Sequence, residues 1–173
     1  RYWVVYNGEI YNAPELRAEL IELGNKFKSQ TDTEVILASY EQWGRDCLSR
    51  FNGMWAFILY DSEKRVFFIS RDRFGKKPLF YTRVAETIYF ASEMKAFLKV
   101  PGFELRPNKS FFKKYLDRGC REWGRETAFC GVHRFKHASF IECETQHLLN
   151  GFEEERFWRL KPNSSLESFN ARK

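Results

Sequence analysis

The stretch "YNGEIYN", residues 6–12, closes an aromatic and β-branched run, "RYWVVY", residues 1–6. Such a run reads as a buried strand. Asn7-Gly8 then reads as a tight turn, because this pair adopts backbone angles that other residues resist. It reads equally as a site. An asparagine amide beside an unshielded glycine N–H can aim two donors at one developing negative charge. What surrounds the stretch decides between the two.

Working outward, Asn12 is an N-cap candidate, with Pro14 near the first helical position and Glu15 placed as in a capping box. Leu16, Leu20 and Leu23 give an apolar helical face that Gly24 ends. After a short extended piece, "NKFKSQ", Thr31 is expected to cap a second helix over "DTEVILASYEQW", with Glu34 in the reciprocal position and Gly44 as its stop. "GMWAFILYD" (53–61) and "RVFFISRD" (65–72) are apolar enough to be two core strands of one hairpin. "LFYTRV" and "TIYFAS" read as another. Ser92 is expected to cap a short helix over "EMKAFL", and "SFFKKYLDRG" reads as an amphipathic helix closed by Gly119. Weaker strand signals lie at 138–143 and 156–160. Mixed strands and helices argue for an α+β layered domain.

The 173 residues suffice for one domain with a substantial core, and 18 phenylalanines should fill it. No apolar run approaches the ~20 residues that cross a bilayer, and no signal peptide opens the chain. The expectation is a cytoplasmic protein without a membrane partner. The net charge of +6 is spread along the chain, so nothing beyond net charge favours nucleic acid. Cys47, Cys120, Cys130 and Cys143 form no CxxC pair and are expected to be reduced structural thiols.

"NGEIYN" (7–12), "SQTDTEVI" (29–36), "RDRFGKKPLFY" (71–81) and "ASEMKAFL" (91–98), in this order and at these intervals, resemble the glutaminase domain of asparagine synthetases, which are class II glutamine amidotransferases. The resemblance is strong over residues 1–100 and continues to "RFWRL" at 156–160. It implies an α+β fold, the four-layer αββα sandwich of the N-terminal-nucleophile hydrolases, incomplete here at its N-terminus. Residues 1–160 would be the partial amidotransferase domain, and 161–173 a polar tail or linker toward a synthetase domain.

In that family an N-terminal cysteine attacks the side-chain amide of glutamine, giving a thioester and ammonia. The resemblance makes Asn7 and the N–H of Gly8 the oxyanion hole, with Glu9 and Asp32 holding the substrate's α-ammonium. The partners it implies are L-glutamine and the synthetase domain of the same protein, where ATP and Mg would act on aspartate; the domain itself is expected to need no cofactor, and a homodimer stays open. No cysteine precedes Asn7, so no nucleophile is assigned and this chain alone is expected to hydrolyse no glutamine. The competing reading is a non-catalytic remnant used as a binding module. Within the family, relatives acting on sugars or phosphoribosyl pyrophosphate carry similar motifs, and acceptor choice lies outside these residues.

Other residues take plainer readings. Asp32 can be a first-turn carboxylate stabilised by the helix dipole, worth ~0.3–1 kcal/mol. Arg71, Asp72 and Arg73 are expected to shape a loop through ion pairs. Cys130, His133, His137, Cys143 and His147 have zinc-ligand chemistry but match no common spacing, and no metal is assigned to them.

Overall fold

Tyr2–Ile10 form the first strand, β1, in the computed structural model, which describes residues 1–119 and 124–161. Its alternation sorts the side chains. Tyr2, Val4, Tyr6 and Ile10 face the main core, whereas Trp3 and Val5 on the other face are 73% and 75% exposed. β1 is the edge of a five-stranded sheet that continues through β2 (Gly53–Asp61) and β3 (Val66–Arg71). The second sheet holds β4 (Phe80–Val84) between β5 (Thr87–Ala91) and β6 (Val132–Arg134). β7 (Ser139–Glu144) and β8 (Glu155–Arg156) complete the first sheet, in the order β1-β2-β3-β7-β8.

Asn7-Gly8 is not a turn. Both residues lie inside β1, opposite Ala56 and Trp55 of β2. Gly8 is there for close approach: a Cβ would sit 2.6 Å from a Tyr6 ring carbon and 2.8 Å from the Trp55 Cα, and closer still to the Met54 carbonyl. The turn propensity of Asn-Gly yields to a nine-residue ladder that only glycine fits at this point.

Helices α1 (Ala13–Glu22) and α2 (Asp32–Trp43) cover one face of the first sheet. Ala13, Leu16 and Leu20 from α1, and Val35, Ile36 and Tyr40 from α2, meet Trp55, Phe57, Leu59 and Phe68. The other face carries Ala56, Ile69 and Ile141, which pack with Leu79 and Phe135 from around the second sheet. Leu148 of α5 (Thr145–Asn150) joins that cluster. A short helix, α3 (Cys47–Arg50), leads into β2. α4 (Lys109–Arg118) is tied to the β6 side by its N-cap: Asn108 accepts from the Phe111 N–H and donates to the Thr127 carbonyl, and Thr127 donates to that of Val132.

Three expected caps work elsewhere. The Asn12 side chain bridges to the Arg50 carbonyl and the Asn52 N–H rather than capping α1. Thr31 makes no side-chain cap for α2, and Glu34 instead accepts from the Lys28 and Ser29 N–H groups and the Ser29 hydroxyl. Ser92 caps nothing. The helix after it is a 3-10 stretch, Met94–Lys99, whose N-cap is Glu93. In each case a partner distant along the chain, or a neighbouring loop, outcompetes the local helix end. The strand read at 156–160 shrinks to Glu155–Arg156, because Trp158 leaves the ladder to stack edge-on against Phe74 at 5.2 Å. Cys120 and the tail from 162 lie outside the described residues.

The triplet at 71–73 shapes its loop mainly through the main chain. Arg71 donates to the carbonyls of Gly75, Lys77 and Phe135, each at 2.7 Å. Arg73 donates to those of Phe51 and Ser49. Between them the buried Asp72 carboxylate accepts four backbone N–H groups, from Trp55, Phe74, Lys76 and Lys77.

Candidate active site

The open edge of β1 has a direction that follows from the ladder. In an antiparallel sheet, each residue turns its N–H and C=O to one neighbour, and the next residue turns them to the other side. Trp55 turns its carbonyl toward Asp72, whose N–H it accepts at 2.9 Å. Ala56 therefore bonds across to Asn7, and Gly8, opposite Trp55, turns its N–H away from β2 to the open edge. The same alternation turns the Ile10 N–H outward. That one is occupied: it donates to Asp32 Oδ2 at 3.1 Å.

Asp32 stands at the start of α2 and reaches this edge from the helical side. Its Oδ2 also accepts from the Tyr6 hydroxyl at 2.8 Å. Burial first, and then the hydrogen bond to Asp32, push the Tyr6 phenol well above the ordinary tyrosine range. Tyr6 thus remains a donor at any ordinary pH and holds the carboxylate in place. Tyr40 is raised in the same way, by burial and then by its bond to Glu142. Because these folded values lie above the unfolded one, the stability they confer is complete below about pH 10 and is lost as pH rises further. In an alkaline titration, the tyrosinate absorbance lost in Tyr6→Phe and Tyr40→Phe variants should emerge only as the helical signal is lost; ionisation of Tyr6 and Tyr40 in a still-folded chain would contradict it.

On the other face of β1, Asn7 and Glu9 share the side of Trp3 and Val5. Glu9 is exposed. Asn7 is half-buried, and its Nδ2 donates to Ser92 Oγ at 3.3 Å, just beyond the end of β5. The four expected residues thus come together around one strip of edge. Asn7 and Gly8 present an amide and a main-chain N–H from adjacent positions, while Glu9 and Asp32 flank the strip from opposite faces. Tyr6 and Ser92 belong to the same constellation and were not read as site residues. Strand alternation would have placed Tyr6 on the side of Asp32; nothing local marks Ser92.

The residues of zinc-ligand type are scattered. Cys130 is exposed, His133 lies in β6 beside the Tyr81 ring, Cys143 is in β7 and His147 in α5. Among the described residues, no group of three His, Cys, Asp or Glu side chains is placed to hold a metal ion. No described helix is long and apolar enough to cross a membrane.

Comparison with known proteins bears on this arrangement. The family model described as a glutamine amidotransferase domain matches residues 1–158. The chain is 33% identical over 168 residues to asparagine synthetase [glutamine-hydrolyzing] 3 of Bacillus subtilis (strain 168), covering 97% of this chain and 27% of that protein. It is 41% identical over 115 residues to asparagine synthetase [glutamine-hydrolyzing] 1 of the same organism, covering 66% of this chain and 18% of that one. It therefore spans about a quarter, or less, of the length of these relatives. Among solved structures, the glutamine phosphoribosylpyrophosphate amidotransferase from B. subtilis, complexed with ADP and GMP, superposes with a TM-score of 0.64 at 21% identity, over 91% of this chain and 29% of that one. That likeness is one of fold, the N-terminal-nucleophile sandwich.

Proposed function

Because the chain belongs to the family of glutamine amidotransferase domains, we propose that it is the glutaminase portion of a glutamine-hydrolysing asparagine synthetase, a ligase that takes ammonia from L-glutamine. The observation that carries this reading is a spacing. Two residues of strand separate the outward N–H of Gly8 from that of Ile10, about 7 Å at the usual rise, and Asp32 sits at the far one. Glutamine spans about 5 Å from its amide carbon to its α-ammonium when extended. Its carbonyl can then meet Asn7 and Gly8 while its ammonium meets Asp32 on one side and Glu9 on the other.

In this reading the substrate lies along the edge of β1. A cysteine thiolate of the complete polypeptide attacks the amide carbon, and negative charge gathers on the oxygen facing Asn7 Nδ2 and the Gly8 N–H. Collapse of that intermediate expels ammonia and leaves a thioester, which water converts to glutamate through a second intermediate of the same charge. This chain's share is to hold the ammonium and stabilise the oxyanion. Amidation of aspartate, with ATP and Mg, would belong to the rest of the protein.

Two measurements on the complete polypeptide test the proposal. Glutamate release should accompany asparagine formation from glutamine; asparagine formation from ammonia with no glutamate release would make this domain a non-catalytic binding module. Asp32→Asn should raise the KM for glutamine roughly tenfold or more, since a hydrogen bond to a charged group is worth about 1.5–3 kcal/mol, with a small change in kcat. An unchanged KM would remove Asp32 from the substrate site.

A further inference from the structure

We infer that Ser92 is a positioning residue for Asn7, setting the direction in which the asparagine amide meets the charge formed on glutamine. This rests on the reading of Asn7 as an oxyanion donor and extends it to a residue just past the end of β5. The contact runs from Asn7 Nδ2 to Ser92 Oγ at 3.3 Å, between positions 85 apart in the chain. Neither end hangs on a free loop. Asn7 is held in the β1–β2 ladder opposite Ala56, and Ser92 directly follows Ala91, which pairs with Phe80 at the end of β5. Ser92 also lines a predominantly apolar slot of about 450 Å³, beside Phe80, Glu93, Met94, Lys95 and Leu98, and its hydroxyl is hydrogen-bonded to Asn7.

The chemistry gives this contact a specific consequence. The terminal torsion of an asparagine is broad and roughly two-fold, so an untethered amide presents its oxygen about as readily as its nitrogen. An oxygen turned toward a forming oxyanion would repel it. The Ser92 hydroxyl can accept from the amide nitrogen or donate to its oxygen, so what it fixes is the amide's torsion; as the two stand, Ser92 Oγ accepts from Asn7 Nδ2 and the second N–H remains for the substrate. Glutamine in its ground state is gripped at the ammonium end, so loss of this tether should be felt in kcat and hardly in KM.

The test uses the complete polypeptide, with glutamate release from glutamine as the assay and the melting temperature as a control for folding. Ser92→Ala should lower kcat about tenfold, as expected for loss of one hydrogen bond acting in the transition state, with KM changed less than twofold. Ser92→Thr, which keeps the hydroxyl, should recover most of the rate. In an Asn7→Ala background, Ser92→Ala should cost nothing more, because its whole effect passes through Asn7. A full additional loss in that background, equal loss in the threonine variant, or an unchanged kcat in Ser92→Ala would each overturn the inference. If Ser92→Ala fails to fold, the near-isosteric Ser92→Cys, with its weak acceptor, takes its place with the same expectations. Failure of the underlying reading looks different: Asn7→Ala itself would then leave glutamate release unchanged.

Discussion

On the proposed reading, Asn7→Ala in the complete polypeptide should lower glutamine-dependent turnover by about 10²–10³-fold, the usual cost of one oriented oxyanion donor, and leave ammonia-dependent synthesis intact. The size follows from where the donor stands. Asn7 is half-buried and tethered at 3.3 Å to Ser92, so its amide has little reorganisation left to undergo when charge appears. Gly8 keeps its N–H outward in the variant, because that direction comes from the ladder and not from a side chain. Some glutamine hydrolysis should therefore survive, with KM nearly unchanged. Glutamate release and asparagine formation, measured with glutamine and then with ammonium salt, read the two halves separately. Equal loss with both nitrogen sources would sink the oxyanion assignment.

Asp72→Ala should destabilise the fold by about 3–5 kcal/mol, as expected when a buried charged acceptor shared by several main-chain donors is removed. Its carboxylate is the common partner of the Trp55, Phe74, Lys76 and Lys77 N–H groups, at 3.0–3.3 Å. A side chain of this kind cannot be trimmed without stranding them. For a chain of this size the loss corresponds to a fall in melting temperature on the order of 10 °C. Asp72→Asn, which keeps one acceptor oxygen, should fall between the variant and the parent. Thermal unfolding followed by circular dichroism decides it; a fall of less than about 2 °C for the alanine variant, below what even 1 kcal/mol would give, would show that the loop holds itself without this carboxylate. The residue also bears on the site at a distance, because its pairing with Trp55 is what leaves Gly8 facing outward.

The parts of the fold legible in the sequence were those whose local pattern and tertiary role agree. The hairpin at 53–72 announced itself because both faces of β2 and β3 are covered, which demands near-continuous apolar residues. Leu16, Leu20, Val35 and Ile36 marked α1 and α2 because one stripe of each helix is buried. The misreadings came where a short polar side chain had a better offer than its local one. Asn12, Thr31 and Ser92 all have the chemistry of a cap, and all bond elsewhere. Asn7-Gly8 has the chemistry of a turn, and the strand pairing overrode it. At the proposed site, the grouping of Asn7, Gly8, Glu9 and Asp32 was expected from motif order. Tyr6 and Ser92 were not, since their parts depend on contacts 26 and 85 positions away that no neighbouring residue signals.

The outward turn of the Gly8 N–H has a consequence for how the gene can change. Half of the proposed oxyanion pair is main chain, so drift in side-chain identity elsewhere along the strand does not erase it; at position 8 itself any side chain would press on the Met54 carbonyl and the Trp55 Cα and disturb the ladder that aims the N–H. Length is another matter. One codon inserted or deleted within β1 or β2 would shift the pairing by a residue, turn that N–H into the ladder and carry every core side chain of the strand to the wrong face. Point substitutions and indels should therefore be tolerated very differently along these eighteen paired positions. A library scanned for single-codon deletions would show β1 and β2 as two unbroken blocks of intolerance.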